Sequence, residues 1–233
     1  MEVKPYFSQL FRVTPLAILV ISTVLLVNTI NLSKLFPIRN VQVYGANHIR
    51  HEQVEELLTP YVSRGFFSVD VEFIRDRLMQ LPWVSKIFVR RHWPDQVEVA
   101  IFEKEVVGRW NGSSLLSAAG EIFSPEEKQL SHFPDFIGPD GSQMKMLEYY
   151  RAMNRILLPL HAKISYLELT PYRTWKLKMS NGMLLQIGHK EILTRLSHFV
   201  KVYPKIIGPR VADVEYVDLR YSNGVAVKWK SSL

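Results

Sequence analysis

The sequence predicts an α+β protein with a single N-terminal transmembrane helix. Three observations support this class: a long uncharged stretch near the N-terminus, a β-α-α-β-β order over residues 37–106, and a strand-rich remainder with two helices. The chain has 233 residues and is 47% hydrophobic, which is sufficient for one or two domains with buried cores.

The uncharged stretch runs from Val13 to Ser33, which is twenty-one positions. At about 1.5 Å per helical residue, that length matches a hydrocarbon core of about 30 Å. A cleaved signal peptide is the alternative, but the apolar run is long and no small-residue cleavage site follows it. We therefore expect a permanent anchor at residues 13–33. Flanking charges do not decide its orientation, and because the tail of residues 1–12 is short we expect that tail on the cytoplasmic side.

Apolar residues between positions 37 and 106 recur at strand spacing and at helix spacing, in an order typical of a small α+β domain. Val41 and Val43 alternate with Gln42 and Tyr44, which predicts a half-buried strand closed by Gly45, and two stretches with helical spacing of apolar residues follow it. Pro82 ends the second of them. Val84–Arg91 and Gln96–Lys104 then predict two strands, so we expect the helices on one face of a small sheet.

Residues 107–233 predict a β domain with two helices, about Gln143–Leu158 and about Glu191–Tyr203. In the second helix, Glu191 is expected to pair with Arg195 at the i, i+4 spacing.

Two Asn-Gly dipeptides predict hairpins in this part of the chain. Asn181-Gly182 joins the strands Trp175–Met179 and Leu184–Ile187, and Asn223-Gly224 joins Val214–Arg220 and Val225–Trp229. A type I′ turn requires φ > 0 at both central positions, which Asn-Gly accommodates.

The formal charge of +7 does not indicate nucleic-acid binding. Residues 108–233 carry seventeen basic and eleven acidic residues, and the basic ones are spread along the chain without a Lys/Arg run. Such a distribution favours a surface that faces an acidic partner or an anionic membrane.

The residues show no pattern typical of catalysis or of a cofactor site. The absence of cysteine excludes disulfides, thiolate metal sites and cysteine nucleophiles. The stretch His51–Glu55 begins like a zinc-protease motif but lacks the second histidine, and Gly138–Gly141 has no phosphate-loop lysine. We interpret Glu103 and Glu105 as surface or salt-bridged charge. We therefore expect no enzyme activity, no cofactor, no metal and no small-molecule substrate.

The last strand places Val225, Val227 and Trp229 on one side and Ala226, Lys228 and Lys230 on the other. A strand entered by a hairpin has one certain neighbour, and its far side is a possible open edge. Charge on such an edge prevents unwanted pairing, and an open edge also accepts a partner strand. Both interpretations stay open on the residues alone.

The sequence resembles the bacterial cell-division family FtsQ/DivIB in two stretches. The stretch Leu81–Val99, LPWVSKIFVRRHWPDQVEV, is similar to the signature of that family's POTRA domain, and Val217–Trp229 is similar to its closing hairpin. Gly188, followed by Leu196, Phe199 and Tyr203, also fits. Val106–Trp110 departs from a Pro-x-Ala-x-Trp sequence common in such domains, and no long polar tail follows Trp229.

The resemblance implies a non-enzymatic scaffold of the division septum, single-pass in the inner membrane with its C-terminal part in the periplasm. It implies a POTRA-like domain at 37–106, with contacts to other divisome proteins, and a C-terminal β domain at 107–233. It also implies that FtsB, held with FtsL, binds at the C-terminal strand. The implied contact residues are Arg220, Tyr221, Asn223, Gly224, Lys228 and Trp229, with Arg173 as a further candidate.

Two other functions compete with this expectation. A POTRA-bearing adaptor of a secretion or barrel-assembly system also pairs with extended polypeptides, but such systems usually continue into a long outer-membrane barrel. An anchored periplasmic hydrolase is disfavoured because no catalytic motif is found.

Overall fold

The computed structural model describes residues 19–22, 36–125, 132–221 and 224–230. The predicted anchor therefore lies mostly outside the described residues, which include only its helical segment Leu19–Ser22. Within the described ranges, no helix has both the length and the apolar character needed to cross a bilayer.

The chain folds as two compact units that divide between Glu103 and Lys104. The first unit has the expected β-α-α-β-β order. Its elements are β1 (Asn40–Tyr44), α1 (His51–Val62), α2 (Val71–Leu78), β2 (Val84–His92) and β3 (Gln96–Glu103). The sheet order is β1-β3-β2, so β3 is the central strand, parallel to β1 and antiparallel to β2.

The core of the first unit follows directly from the two periodicities in its sequence. Alternate residues of β3 are buried, and so is one face of each helix; the buried set includes Val97, Val99, Ile101, Val54, Leu58, Ile74 and Leu78. The Asp70 carboxylate accepts hydrogen bonds from the N–H groups of Glu72 and Phe73, which caps the start of α2. Gly45 ends β1 at φ +79°, and a Cβ there would overlap the Ile101 carbonyl oxygen, so this turn requires glycine.

The second unit is a nine-stranded sheet with two helices. The elements are β4 (Val106–Trp110), β5 (Ser114–Ser117), β6 (Ile122–Phe123), β7 (Asp135–Ile137), α3 (Gln143–Leu157), β8 (Ile164–Leu169), β9 (Trp175–Met179), β10 (Leu184–Gly188), α4 (Ile192–Ile206), β11 (Val214–Asp218) and β12 (Ala226–Trp229). The strand order is β12-β11-β10-β9-β8-β7-β4-β5-β6. A 3-10 segment, Gly208–Asp213, connects α4 to β11.

One core joins both helices to this sheet. It includes Leu147 and Met153 of α3 together with Leu196 and Phe199 of α4, all of them fully buried. Tyr149 of α3 stacks on Trp175 of β9, with ring centroids 4.7 Å apart. The helix bounds differ from the expectation by a few residues, because Glu191 is left-handed at φ 50° and α4 continues through Ile206.

The first predicted hairpin forms, but the prediction of a type I′ turn is wrong. Gly182 has φ +88°, whereas Asn181 is not among the residues with positive φ. The Met179 N–H donates to the Met183 carbonyl, and the Gly182 N–H donates back to the Met179 carbonyl. Only one central residue is left-handed, so the turn has the longer form in which glycine follows a type I turn.

We expect a fragment of residues 37–106 to fold by itself, because the first unit has its own buried core, although domains of this size are only marginally stable. Dispersed amide signals in an NMR spectrum would verify this. The matched control is a fragment of residues 37–95, which lacks the central strand β3 and should stay unfolded. Loss of dispersion in both fragments would contradict the predicted boundary.

Candidate functional site

The strand β12 lies at one edge of the nine-stranded sheet. It pairs antiparallel with β11, with Asp218 opposite Ala226 and Val217 opposite Val227. Within the described residues, β11 is the only strand that pairs with β12. The register shifts between Val214 and Tyr216, which makes Glu215 the bulged residue.

Two hydrogen bonds determine which backbone groups of β12 point outward. The backbone N–H of Lys230 donates to the Asp213 carbonyl at 2.7 Å, so the backbone groups of Lys230 point toward β11. The Leu219 N–H donates to Gln186 of β10 at 2.8 Å, so the neighbouring Asp218 faces β12. Because the N–H and C=O of successive strand residues alternate in direction, both bonds give the same result. The backbone groups of Val225, Val227 and Trp229 point away from β11.

The side chains of β12 divide between the two faces of the sheet. Val225, Val227 and Trp229 are half-buried against the core, whereas Ala226 and Lys228 are exposed. The Arg210 guanidinium lies 4.4 Å from the centroid of the Trp229 ring. Trp229 is therefore held within its own unit, and its replacement would disturb the fold as well as any partner.

Lys228 already has an acidic partner within the chain. Its ammonium group lies 2.9 Å from the carboxylate of Glu215, and 5.6 Å from the centroid of the Tyr216 ring. The hydrogen bond to Glu215 raises the pKa of Lys228. A partner that pairs with Lys228 has to compete with this contact, which is exposed and therefore weak.

The connection from β11 to β12 is wider than expected, because strand pairing ends at Asp218 and Ala226. The Asp218 carboxylate is buried and accepts hydrogen bonds from the backbone N–H of Arg220 at 2.9 Å and from its guanidinium at 2.7 Å. The side-chain hydrogen bond from Arg220 lowers the pKa of Asp218. These contacts hold Arg220 against Asp218, directly after the last residue of β11 that pairs with β12.

Arg195 ties this connection to α4, a contact that the sequence did not predict. Its guanidinium donates to the carbonyl oxygens of Arg220 at 2.8 Å and of Leu219 at 3.3 Å, and the predicted pairing with Glu191 is replaced by these bonds. Gly188 makes room for the arrangement. A Cβ at Gly188 would lie 3.2 Å from Cγ of Arg220, and φ is +92° there.

An open groove of about 630 Å³ lies between α4 and this connection. His198, Val202 and Ile206 form its helical side, and Tyr221 and Val225 form part of the other. The Tyr221 side chain is 61% exposed. The groove therefore adjoins the outward-facing backbone of β12 and presents an aromatic ring beside it.

Five of the seven predicted contact residues come together at β11–β12: Arg220, Tyr221, Gly224, Lys228 and Trp229. Asn223 lies outside the described residues, and so does the turn predicted for Asn223-Gly224. Arg173 lies in the β8–β9 turn in a left-handed conformation, φ 60°. Strand directions put that turn at the same end of the sheet, three strand spacings or about 14 Å from the β11–β12 connection.

Comparison with known proteins identifies both units. Residues 36–104 match the family model described as POTRA domain, FtsQ-type, and residues 108–220 match the model described as cell division protein FtsQ/DivIB, C-terminal. The cell division protein FtsQ of Coxiella burnetii is 35% identical over 205 residues, which cover 87% of this chain and 84% of that protein.

The chain belongs to the FtsQ/DivIB family.

Other members of the family have similar coverage. FtsQ of Methylomonas methanica is 33% identical over 83% of this chain and 79% of its own length. FtsQ of Escherichia coli is 29% identical over 94% of this chain and 83% of its own length. The chain is therefore a protein of the bacterial division machinery, from a family of non-catalytic division scaffolds. A secretion or barrel-assembly adaptor is not favoured, because the C-terminal unit also matches the FtsQ/DivIB model.

We expect Asp218→Asn to lower the free energy of unfolding at pH 7 by about 1 to 2 kcal/mol, because it weakens charged hydrogen bonds at a buried position. The folded-state pKa of Asp218 lies below its ordinary value of 3.8, so the stabilisation is present above that pH and is lost as the pH falls through the folded-state pKa. Urea unfolding of both proteins at pH 7 and at low pH measures this. A difference that does not shrink in acid would contradict the role of the carboxylate charge.

Proposed function

We propose that this chain is a non-enzymatic divisome scaffold that binds FtsB, held with FtsL, by adding a strand of the partner to β12. The proposal includes the anchor at residues 13–33, a cytoplasmic tail and a periplasmic C-terminal part at the septum. It also includes the domain boundaries 37–106 and 107–233, with other divisome proteins contacting the POTRA domain.

The observation that carries the proposal is the set of outward-facing backbone groups at Val225, Val227 and Trp229. An extended peptide that pairs with an edge strand gains main-chain hydrogen bonds without requiring a deep pocket. The edge is short and twisted by the bulge at Glu215, which limits pairing with unrelated strands.

The surroundings of the edge favour an acidic segment. Lys228 and Lys230 are exposed on the open face of β12, and Arg220 and Arg210 flank the strand at its two ends. Lys228 pairs with Glu215, Arg220 with Asp218 and Arg210 with Asp213, so an acidic partner has to compete with these contacts. Complementary charge mainly increases the association rate and selects the partner.

The groove beside Tyr221 extends the proposed contact beyond the strand. A chain that leaves the edge at the Val225 end passes next to Tyr221 and the His198 face of α4. Exposed tyrosine in a partly enclosed site is typical of residues that contribute strongly to binding. Arg173 lies too far along the sheet to contact the added strand itself, so it would contact a residue of the partner beyond that strand.

The test removes the backbone N–H of Val227, which would donate to the added strand of the partner. Val227→Pro removes the outward N–H and leaves the hydrogen bonds to β11, since proline is tolerated on the open side of an edge strand. We expect the affinity for a soluble FtsB–FtsL complex to fall about tenfold, the equivalent of one lost hydrogen bond. Calorimetric titration with the purified complex measures the change.

The matched control is Val227→Thr, which keeps the shape of the side chain and the N–H group. It should bind within about threefold of the original chain, a difference too small for a lost hydrogen bond. Thermal unfolding of both variants establishes that each is folded. Equal affinity of folded Val227→Pro and Val227→Thr would exclude β12 as the docking strand.

A further inference from the structure

One end of the first unit exposes aromatic side chains that are not part of its buried core. Trp93, at the tip of the β2–β3 hairpin, is 69% exposed, whereas Trp83, Trp110 and Trp175 are buried. Phe67, in the loop between α1 and α2, is 50% exposed. Single exposed apolar side chains are common, but several grouped at one end of a unit are typical of an interaction surface.

Both of these loops are attached to the segment through which the chain enters the unit. The backbone N–H of Arg39 donates to the Asp95 carbonyl at 2.9 Å, which fixes the hairpin tip. The Phe66 N–H donates to the Phe36 carbonyl at 2.8 Å. The rings of Phe36 and Phe67 then meet edge to face, 5.3 Å between centroids.

The same end of the unit is rich in arginine. Arg39, Arg64, Arg90 and Arg91 are exposed there, and the guanidinium of Arg91 lies 6.0 Å from the centroid of the Phe66 ring. The acidic groups at this end include Asp70, Glu72, Asp95 and Glu98, of which Asp70 caps α2 and Glu98 contacts His92 at 2.6 Å. At the hairpin tip beside Trp93, Arg39, Arg90 and Arg91 outnumber Asp95 and Glu98, so positive charge is in excess there.

We propose that this end of the POTRA domain binds the surface of an anionic phospholipid bilayer, with Trp93 and Phe67 in the headgroup region and the arginines on lipid phosphates. The inference rests on the anchor that belongs to the proposed function. That anchor ends at Ser33, and three residues to Phe36 span at most about 10 Å. Aromatic rings with basic neighbours are the combination that membrane interfaces favour.

The chain offers a control at the opposite end of the same sheet. Phe102 is 53% exposed and pairs with Lys86 near the start of β2, whereas the hairpin tip follows the pair of His92 and Gln96. Phe102 therefore has the same chemistry and a similar exposure, but it lies at the far end of the strands from Phe36. A membrane contact at the proposed end keeps Phe102 in water.

The experiment uses the absence of cysteine from the chain. Single-cysteine variants Trp93→Cys, Phe67→Cys and Phe102→Cys of the full-length chain are labelled with an environment-sensitive fluorophore and placed in nanodiscs. The discs contain either phosphatidylglycerol or only phosphatidylcholine, with and without brominated acyl chains. We expect blue-shifted, bromine-quenched emission at positions 93 and 67 in the anionic discs, and solvent-like emission at 102.

A second arm tests the arginines. Arg39→Gln together with Arg90→Gln, in the Trp93→Cys background, should shift the ratio of quenched to unquenched label toward solvent about twenty-five-fold, since each arginine near an anionic surface contributes about fivefold. Thermal unfolding verifies that the variants are folded.

The possible results separate the inference from the function on which it rests. Failure of the chain to enter nanodiscs would overturn the anchor and this inference together, while binding of FtsB–FtsL to β12 would still be measured separately. A chain that enters the discs with solvent-like emission at both 93 and 67 would overturn the inference alone. Equal quenching in both lipids would exclude an anionic surface as the preferred partner.

Discussion

The strand β12 is hydrogen-bonded to β11 on one side, and its outward-facing N–H and C=O groups at Val225, Val227 and Trp229 have no strand partner among the described residues. A sheet edge of this kind is satisfied either by water or by another chain. Its side chains contribute little new binding surface, because Trp229 is packed under Arg210 and Lys228 is paired with Glu215. In the proposed complex, affinity at this edge is therefore expected to depend mainly on the backbone, with Tyr221 as the exposed ring beside it.

The contacts around Asp218 fix the start of the connection between β11 and β12. Arg220 bonds to the Asp218 carboxylate, and Arg195 holds the carbonyls of Leu219 and Arg220 against α4. The connection to β12 is thereby held on the α4 side, where it borders the groove. Gly188 is part of the same arrangement, because a side chain there would press on Arg220. Asp218, Arg195 and Gly188 support this arrangement from within the unit, so we expect their replacement to act through stability.

Local periodicity was sufficient to predict most elements of both units. Alternation in β3 and helical spacing in α1 and α2 report burial directly, and the predicted order of the first unit is confirmed. The contact of Arg195 was missed because it joins residues far apart in the sequence, and the i, i+4 rule instead suggested Glu191. The turn at Asn181-Gly182 was assigned to the wrong type, because loop geometry depends on how the flanking strands end.

For a similar reason, the sequence alone does not predict which backbone groups of β12 point toward β11. Alternation in the sequence separates Val227 from Lys228 by face, but it does not say which residue donates toward β11. That depends on the register, which the bulge at Glu215 shifts by one residue. Sheet order is also a tertiary property: β10 and β11 are parallel neighbours although α4 lies between them in the sequence.

Hydrogen–deuterium exchange of the β12 amides, resolved residue by residue by NMR, tests strand addition most directly. In the free protein, the Val227 and Trp229 amides should exchange much faster than the Lys228 amide, which is bonded to β11. Adding the FtsB–FtsL complex should slow Val227 and Trp229 and leave Lys228 almost unchanged. A partner that binds with full affinity while the Val227 and Trp229 amides continue to exchange at their free rates would contradict strand addition at this edge.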